Sequence, residues 1–249
     1  MIRALLFLLA MVGPLAAEEV VVGLSQSRIS ITTNFDGSEI LIFGAVKREA
    51  AIPVDAPLHV IVTVAGPSEP VSVRRKERRF GIWMNIDAVE VDAAPSFYSV
   101  ATSGPWREVV RDVEDLRHHI SIQRAIRSVG SEIEGSGEFT RALIRVRESN
   151  DSYQTNIGAV TLEQETLFNT TVRLPANLTE GDYRARFFLT RDGQVIDTYD
   201  ATIPVQKVGQ DRFLFRLSRE QPLIYGLMSI AIAIAAGWGA STIFRLVRN

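Results

Sequence analysis

The chain has 249 residues, of which 46% are hydrophobic, a formal net charge of −2 at pH 7 and no cysteine. Such a balance gives no broad basic field for nucleic acid. The lack of thiols excludes disulfides, thiolate catalysis and cysteine-ligated zinc or iron–sulfur sites. An exported chain without disulfides must rest on its apolar core, which suits a bacterial envelope protein.

Residues 1–17 carry Arg3, an apolar run from Ala4 to Val12, Gly13-Pro14 and then Leu15-Ala16-Ala17 ahead of Glu18. The run is far shorter than the roughly 20 residues a bilayer span needs, so it reads as a signal peptide. Leu15 stands where a small residue is preferred, which leaves an uncleaved N-terminal anchor as the alternative. Both readings put residue 18 onward outside the cytoplasm.

Residues 18–102 read as a β-sandwich-like domain. Val20 to Leu24 opens it, and Ile29 and Ile31 share one face of a strand over Arg28–Thr33. Asn34-Phe35-Asp36-Gly37 is a tight-turn signal that would fold this strand back on Ile40–Val46. Leu58, Val60, Val62 and Val64 line one side of a further strand, with His59 on the other. Short strands at this spacing favour an antiparallel sandwich.

Residues 103–150 change period. Ser103-Gly104-Pro105 is a helix-start signature. Trp106, Val109, Val110, Val113, Leu116 and Ile120 keep one face at helical spacing up to a break near Ser121. Phe139, Leu143 and Val146 suggest a second helix after Gly135-Ser136-Gly137. Residues 151–210 return to strands, with Arg191-Asp192-Gly193 turning Tyr183–Thr190 into Gln194–Val205, like the closing strands of an immunoglobulin-like module. The expected fold is therefore mainly β: immunoglobulin-like antiparallel β-sandwich units, a helical insertion, and one C-terminal transmembrane helix.

That helix is read over residues 222–244, after a juxtamembrane linker at 211–221 and before a cytoplasmic tail at 245–249. No charge falls between Gln221 and Phe244, a stretch long enough to cross a bilayer. Ala231, Ala235 and Gly239 are spaced by four, as are Ala233, Gly237 and Ser241, and such small-residue spacing lets membrane helices dock closely. In the linker, Arg212, Phe213, Phe215, Arg216 and Arg219 mix rings and guanidinium groups suited to a bilayer surface. The expected location is the bacterial inner membrane, single-pass, with the bulk of the chain periplasmic.

Chemistry is sparse. His118 and His119 are adjacent on a helix and cannot close one metal site, and His59 stands apart. Gly23-Leu24-Ser25-Gln26-Ser27 lacks the closing glycine of a nucleophile elbow. Glu108, Asp112, Glu114 and Asp115, interleaved with Arg107, Arg111 and Arg117, read as a solvated ion-pair face. No catalytic, cofactor or metal residues are assigned. One cluster stands out: Arg74-Arg75-Lys76-Glu77-Arg78-Arg79 places five cations in six positions. It reads as a basic patch for anionic headgroups or an acidic partner, or as a hairpin end kept soluble by charge.

Val22-Gly23-Leu24-Ser25, Asn34 to Ser38 with Phe43-Gly44-Ala45, Lys76 with Gly81 to Asn85, Pro95-Ser96-Phe97-Tyr98 and the closing helix carry a resemblance over nearly the whole length. By these motifs the chain resembles an uncharacterised family of alphaproteobacterial transmembrane proteins. The resemblance implies topology rather than chemistry, and points to an exporter of anions or sulfur compounds as a membrane partner. The expected function is a membrane-anchored periplasmic interaction or accessory protein, not an enzyme. Its expected partners are the lipid bilayer and either another membrane protein or a second copy met through the helix, with no nucleic acid and no cofactor. The alternative is a ligand-binding accessory subunit of a transporter, which needs a pocket lined by Trp83, Tyr98 or Trp106. An unfamiliar enzyme would need converging polar groups instead.

Overall fold

Ile40, Ile42 and Val46 are buried while Glu39, Leu41 and Phe43 face out, so the alternation after Gly37 builds a half-buried strand, β3 (Ser38–Lys47). The computed structural model describes residues 18–26, 28–31, 35–48, 56–127, 136–207, 217–219 and 221–247, with side chains on the last helix described as far as Trp238. The leader reading at 1–17 and the ring–arginine mixture at 211–216 lie outside these residues. The chain divides into two compact units, one of Met1–Ile29 with Asp36–Val205 and one of Ser30–Phe35 with Gln206–Asn249.

In the first unit, β3 is flanked by β1 (Glu19–Leu24) and β10 (Leu167–Leu174), and β9 (Thr161–Glu163) completes a four-stranded sheet. β10 alternates perfectly, with Phe168, Thr170, Val172 and Leu174 turned inward. The second sheet runs β2 (Ile29–Ile31), β12 (Gln194–Lys207), β11 (Gly181–Arg191), β4 (Leu58–Ala65), β7 (Tyr98–Thr102), β8 (Tyr153–Asn156). Phe168 of the first sheet meets Phe187 of the second, ring centroids 6.3 Å apart. Residues before 103 and after 150 therefore share both sheets.

The β11–β12 hairpin forms as the sequence predicts, its turn carried by Asp192 and Gly193 with φ of 51° and 71°. The Asn34–Gly37 turn does not pair its flanking segments. β3 takes β1 as its neighbour through Val22↔Gly44 and Gly23↔Phe43, and β2 goes to the other sheet. A Cβ on Gly44 would overlap the Phe168 ring and lie 2.7 Å from the Val21 carbonyl oxygen, whereas one on Gly23 would meet only the Phe43 ring. The Phe43 ring is half exposed and can swing away, but backbone cannot. Gly44→Ala is expected to cost about 1–3 kcal/mol by overpacking, and Gly23→Ala clearly less, read as the order of their unfolding midpoints.

β7 and β8 pair in parallel, Tyr98↔Tyr153 to Ala101↔Asn156. A parallel pair needs a crossover of a dozen or more residues, and the helical stretch supplies it. It is more broken than its periodicity predicts: α1 (Trp106–Val109), α2 (Asp112–His118), α3 (Ile122–Ala125) and α4 (Ser136–Ser149). Val110 is buried in an extended conformation and the Arg111 N–H donates to the Gly193 carbonyl at 2.9 Å, which stops the helix there. The rotation that follows leaves Val113 and Leu116 exposed, although both sit on the expected apolar stripe. Val146, on the expected face of α4, is exposed as well, and Ile144 packs inward with Phe139 and Leu143.

The mainly β reading stands; two parts of the expected fold class do not. The sheets are shared rather than forming separate immunoglobulin-like antiparallel units, and one pair is parallel. The transmembrane helix expected over 222–244 is also overturned. In the second unit a helix, α5, runs Pro222–Val247, yet among the described residues no helix is long and apolar enough to cross a membrane.

Candidate interaction site

The basic cluster lies on a long hairpin, β5 (Ser68–Arg79) and β6 (Ile82–Pro95), which form a two-stranded sheet of their own, with a bridge from Ala93 to Arg127 at the stem. An isolated two-stranded ribbon is marginal in water, so its stem must be held. Val89 and Val91 supply the hold by burying one stem face, and Arg75 on the same face lies 5.4 Å over the Phe139 ring of α4. Beyond Arg75 the ribbon leaves the body, and Lys76 to Arg79 and Ile82 to Asn85 are exposed on both faces.

Register divides the five cations into two groups. The pairs Arg74↔Ala88, Lys76↔Asn85 and Arg78↔Trp83 alternate with Arg75↔Asp87, Glu77↔Met84 and Arg79↔Ile82, with an irregularity between Arg75 and Lys76. The second set shares its face with Val73 and Val89 and neutralises its own charge. Arg75 donates to Asp87 Oδ2 at 2.5 and 3.0 Å, and Arg79 donates to Glu77 Oε2 at 3.1 and 3.2 Å. From Arg74 outward the opposite face holds Arg74, Lys76, Arg78, Asn85 and Trp83 and no carboxylate.

The tip is apolar. Phe80 is 103% exposed and Trp83 69%, with Ile82 and Met84 also open to solvent. Phe80 and Gly81 both take positive φ, 52° and 85°, the geometry of a two-residue primed turn that favours Asn-Gly. A phenylalanine there is held in the left-handed region at a cost of about 1–2 kcal/mol and exposes its ring in return. Strain kept at an exposed position points to function. Phe80→Asn is expected to steady the arm by about 1 kcal/mol, seen as slower amide exchange over 76–85, while weakening whatever contact the ring makes.

Two hollows adjoin the ribbon or the second sheet. One of about 530 Å³ is walled by Arg74, Arg75, Phe139, Arg141 and Arg145 with Glu138, and so continues the basic patch onto α4. The other, about 680 Å³, is lined by Tyr98, Arg124, Arg127, Arg184 and Arg186 with Asp182. Burial raises the pKa of Tyr98, which donates to the Ile120 carbonyl at 2.6 Å. Arg186 is committed to the His118 and His119 carbonyls at 2.7 and 2.8 Å. Trp83 and Trp106 line neither hollow.

The histidines and helix carboxylates singled out by the sequence lie in local contacts. His59 Nδ1 lies 3.1 Å from Ser103 Oγ, and His118 Nε2 is 3.5 Å from Glu114. Glu114 and Asp115 are buried rather than solvated. Asp115 accepts from the Ile120 and Ser121 amides and from the Ser121 hydroxyl, holding the turn after α2. Among the described residues no group of three or more His, Asp or Glu is placed to hold a metal ion. Ala231, Ala233, Ala235 and Gly237 are exposed on α5; Gly239 and Ser241 lie on the same helix beyond the described side chains.

Fold and site together define a mainly β protein that presents a cationic, aromatic-tipped hairpin arm. Residues 19–246 match the family model described as "Putative transmembrane protein (Alph_Pro_TM)", and the chain belongs to that family. Membership supports association with a membrane in general. No curated protein matches the chain.

Proposed function

We propose that this protein is a non-enzymatic interaction module at the outer face of the bacterial inner membrane, with the bulk of the chain periplasmic and the β5–β6 arm as its contact surface. The observation that carries the reading is the bare tip: large apolar residues at the end of a formed hairpin, flanked by cations. Soluble surfaces rarely expose such groups together without a use for them. The described surface of α5 is equally apolar, with Leu223, Leu227, Ile230, Ile234 and Trp238 exposed, and calls for lipid, another membrane protein or a second copy as cover. A photo-cross-linking residue at position 83 of the full chain in living cells tests the arm against the exposed control Ile196 on β12. Adducts concentrated at 83 are expected; equal yields at both positions contradict the reading.

A second reading, a ligand-binding accessory subunit of an anion or sulfur-compound exporter, draws support from the 680 Å³ hollow with its arginines and Tyr98. It requires sulfate or a similar oxyanion to be held there. Titration calorimetry with sulfate, repeated on Arg127→Gln, separates the two: heat that vanishes in the variant favours the accessory subunit.

A further inference from the structure

We infer that the partner of the arm is an anionic bilayer surface, met by the face that carries Arg74, Lys76, Arg78 and Trp83 and by the Phe80 tip. This inference rests on the arm being a contact surface, and adds what it contacts.

Charge is the first ground. From Arg74 to the turn the carboxylates Glu77 and Asp87 are both on the opposite face, spent on Arg79 and Arg75, and Glu90, across from Ser72, is the next acidic residue toward the stem on the cationic face. The outer face is therefore purely cationic from Arg74 to the turn. An acidic protein patch would be recognised as well by mixed charges that fix register. A surface of mobile phosphates needs no register and is served by a rank of like charges.

The aromatic residues are the second ground. Trp83 stands directly across from Arg78, so an indole and a guanidinium share one level of the ribbon. Amphipathic rings beside long cationic side chains suit the headgroup layer, where stems and rings reach inward and charges stay with phosphate. Phe80 is bare and Gly81 has open space around a built Cβ, so the tip can enter the headgroup layer without moving any neighbouring part of the fold. The hollow walled by Arg74, Arg141 and Arg145 extends the cationic surface back onto α4.

Because the chain contains no cysteine, Asn85→Cys carries a single environment-sensitive nitrobenzoxadiazole label on the cationic face. The full chain so labelled is placed with vesicles of phosphatidylcholine, with or without phosphatidylglycerol, containing spin-labelled lipid. Blue-shifted emission and quenching are expected only with phosphatidylglycerol, and both should fade as salt rises. The triple change Arg74→Gln, Lys76→Gln and Arg78→Gln should weaken the arm–surface equilibrium on the order of a hundredfold, about fivefold per cation. Its thermal unfolding, monitored alongside, should match that of the parent. Identical emission in the two vesicle types overturns the inference. So does a label shielded in native membranes but solvated in pure lipid, an outcome that leaves the arm a contact surface for a protein. A label solvated in both overturns the contact surface itself.

Discussion

Phe187→Ala is expected to lower the unfolding free energy of the β-rich unit by about 3–5 kcal/mol, the range for emptying a buried phenylalanine site. Phe187 is fully buried on β11, the strand between β12 and β4, and its ring stands 6.3 Å from Phe168 and 6.1 Å from Tyr199. It is thus one of the few side chains on which both sheets close. With no cysteine in the chain, no disulfide limits the unfolded state, and the loss is a large part of the 5–15 kcal/mol typical of a domain. Chemical denaturation of the full chain should show a lower midpoint with an unchanged slope. Phe80→Ala is the contrasting case. The same change at the arm tip should fall within about 0.5 kcal/mol, because that ring touches nothing that folding buries. Equal losses at the two positions would mean that the arm is packed.

The second large effect lies in a network around Glu18. Its carboxylate accepts from Arg48 Nε at 2.7 Å and from Arg191 at 2.9 and 3.0 Å. Arg48 also donates to Thr166 and the Glu165 carbonyl; Arg191 donates to the Ala56 carbonyl and lies 3.8 Å from the Glu165 carboxylate. The Glu18, Arg48 and Arg191 side chains are nearly all buried. Removing one partner from such a set leaves an uncompensated charge, so Arg191→Ala should cost about 3 kcal/mol. Burial alone would raise the pKa of Glu18, but hydrogen bonds and charge from Arg48 and Arg191 outweigh it and hold the value below 4.5. The unfolded chain then binds this proton more readily than the folded one. The stabilisation is complete above the ordinary carboxylate pKa and is lost as pH falls through the lowered one. Thermal unfolding measured from neutral pH down through this window should show the parent losing stability more steeply than Glu18→Gln.

How much of this was legible follows the reach of each interaction. The alternation in Ser38–Lys47 and Leu167–Leu174 and the Asp192-Gly193 turn are local, and they form as the sequence predicts. The pairing of β3 with β1 rather than the nearer β2 was hidden, because partner choice between strands is a long-range property that neither strand's own alternation encodes. The helix over 106–120 failed where tertiary packing of Val110 overrode its period. Arg74 to Arg79 were visible as a cluster. Their division into a self-neutralised face and a bare one was not, since it depends on the register through the irregularity at Arg75 and Lys76. Glu18 and Arg191 meet across 173 positions, and no spacing rule links them. The buried Asp115 looked like a surface charge because its hydrogen-bond partners are backbone amides. The apolar run at 222–244 does form helix, but an uncharged run alone does not establish a crossing.

The most direct test of the arm as a contact surface uses the absence of native thiols. Phe80→Cys and the exposed control Ser149→Cys are each reacted with a membrane-impermeant maleimide, first in spheroplasts and then on the purified chain in mild detergent. In spheroplasts the thiol at position 80 should react several-fold more slowly than in detergent, while the control at 149 reacts at the same rate in both. Equal ratios at the two positions would show the tip to be uncovered in the cell, and would contradict the account.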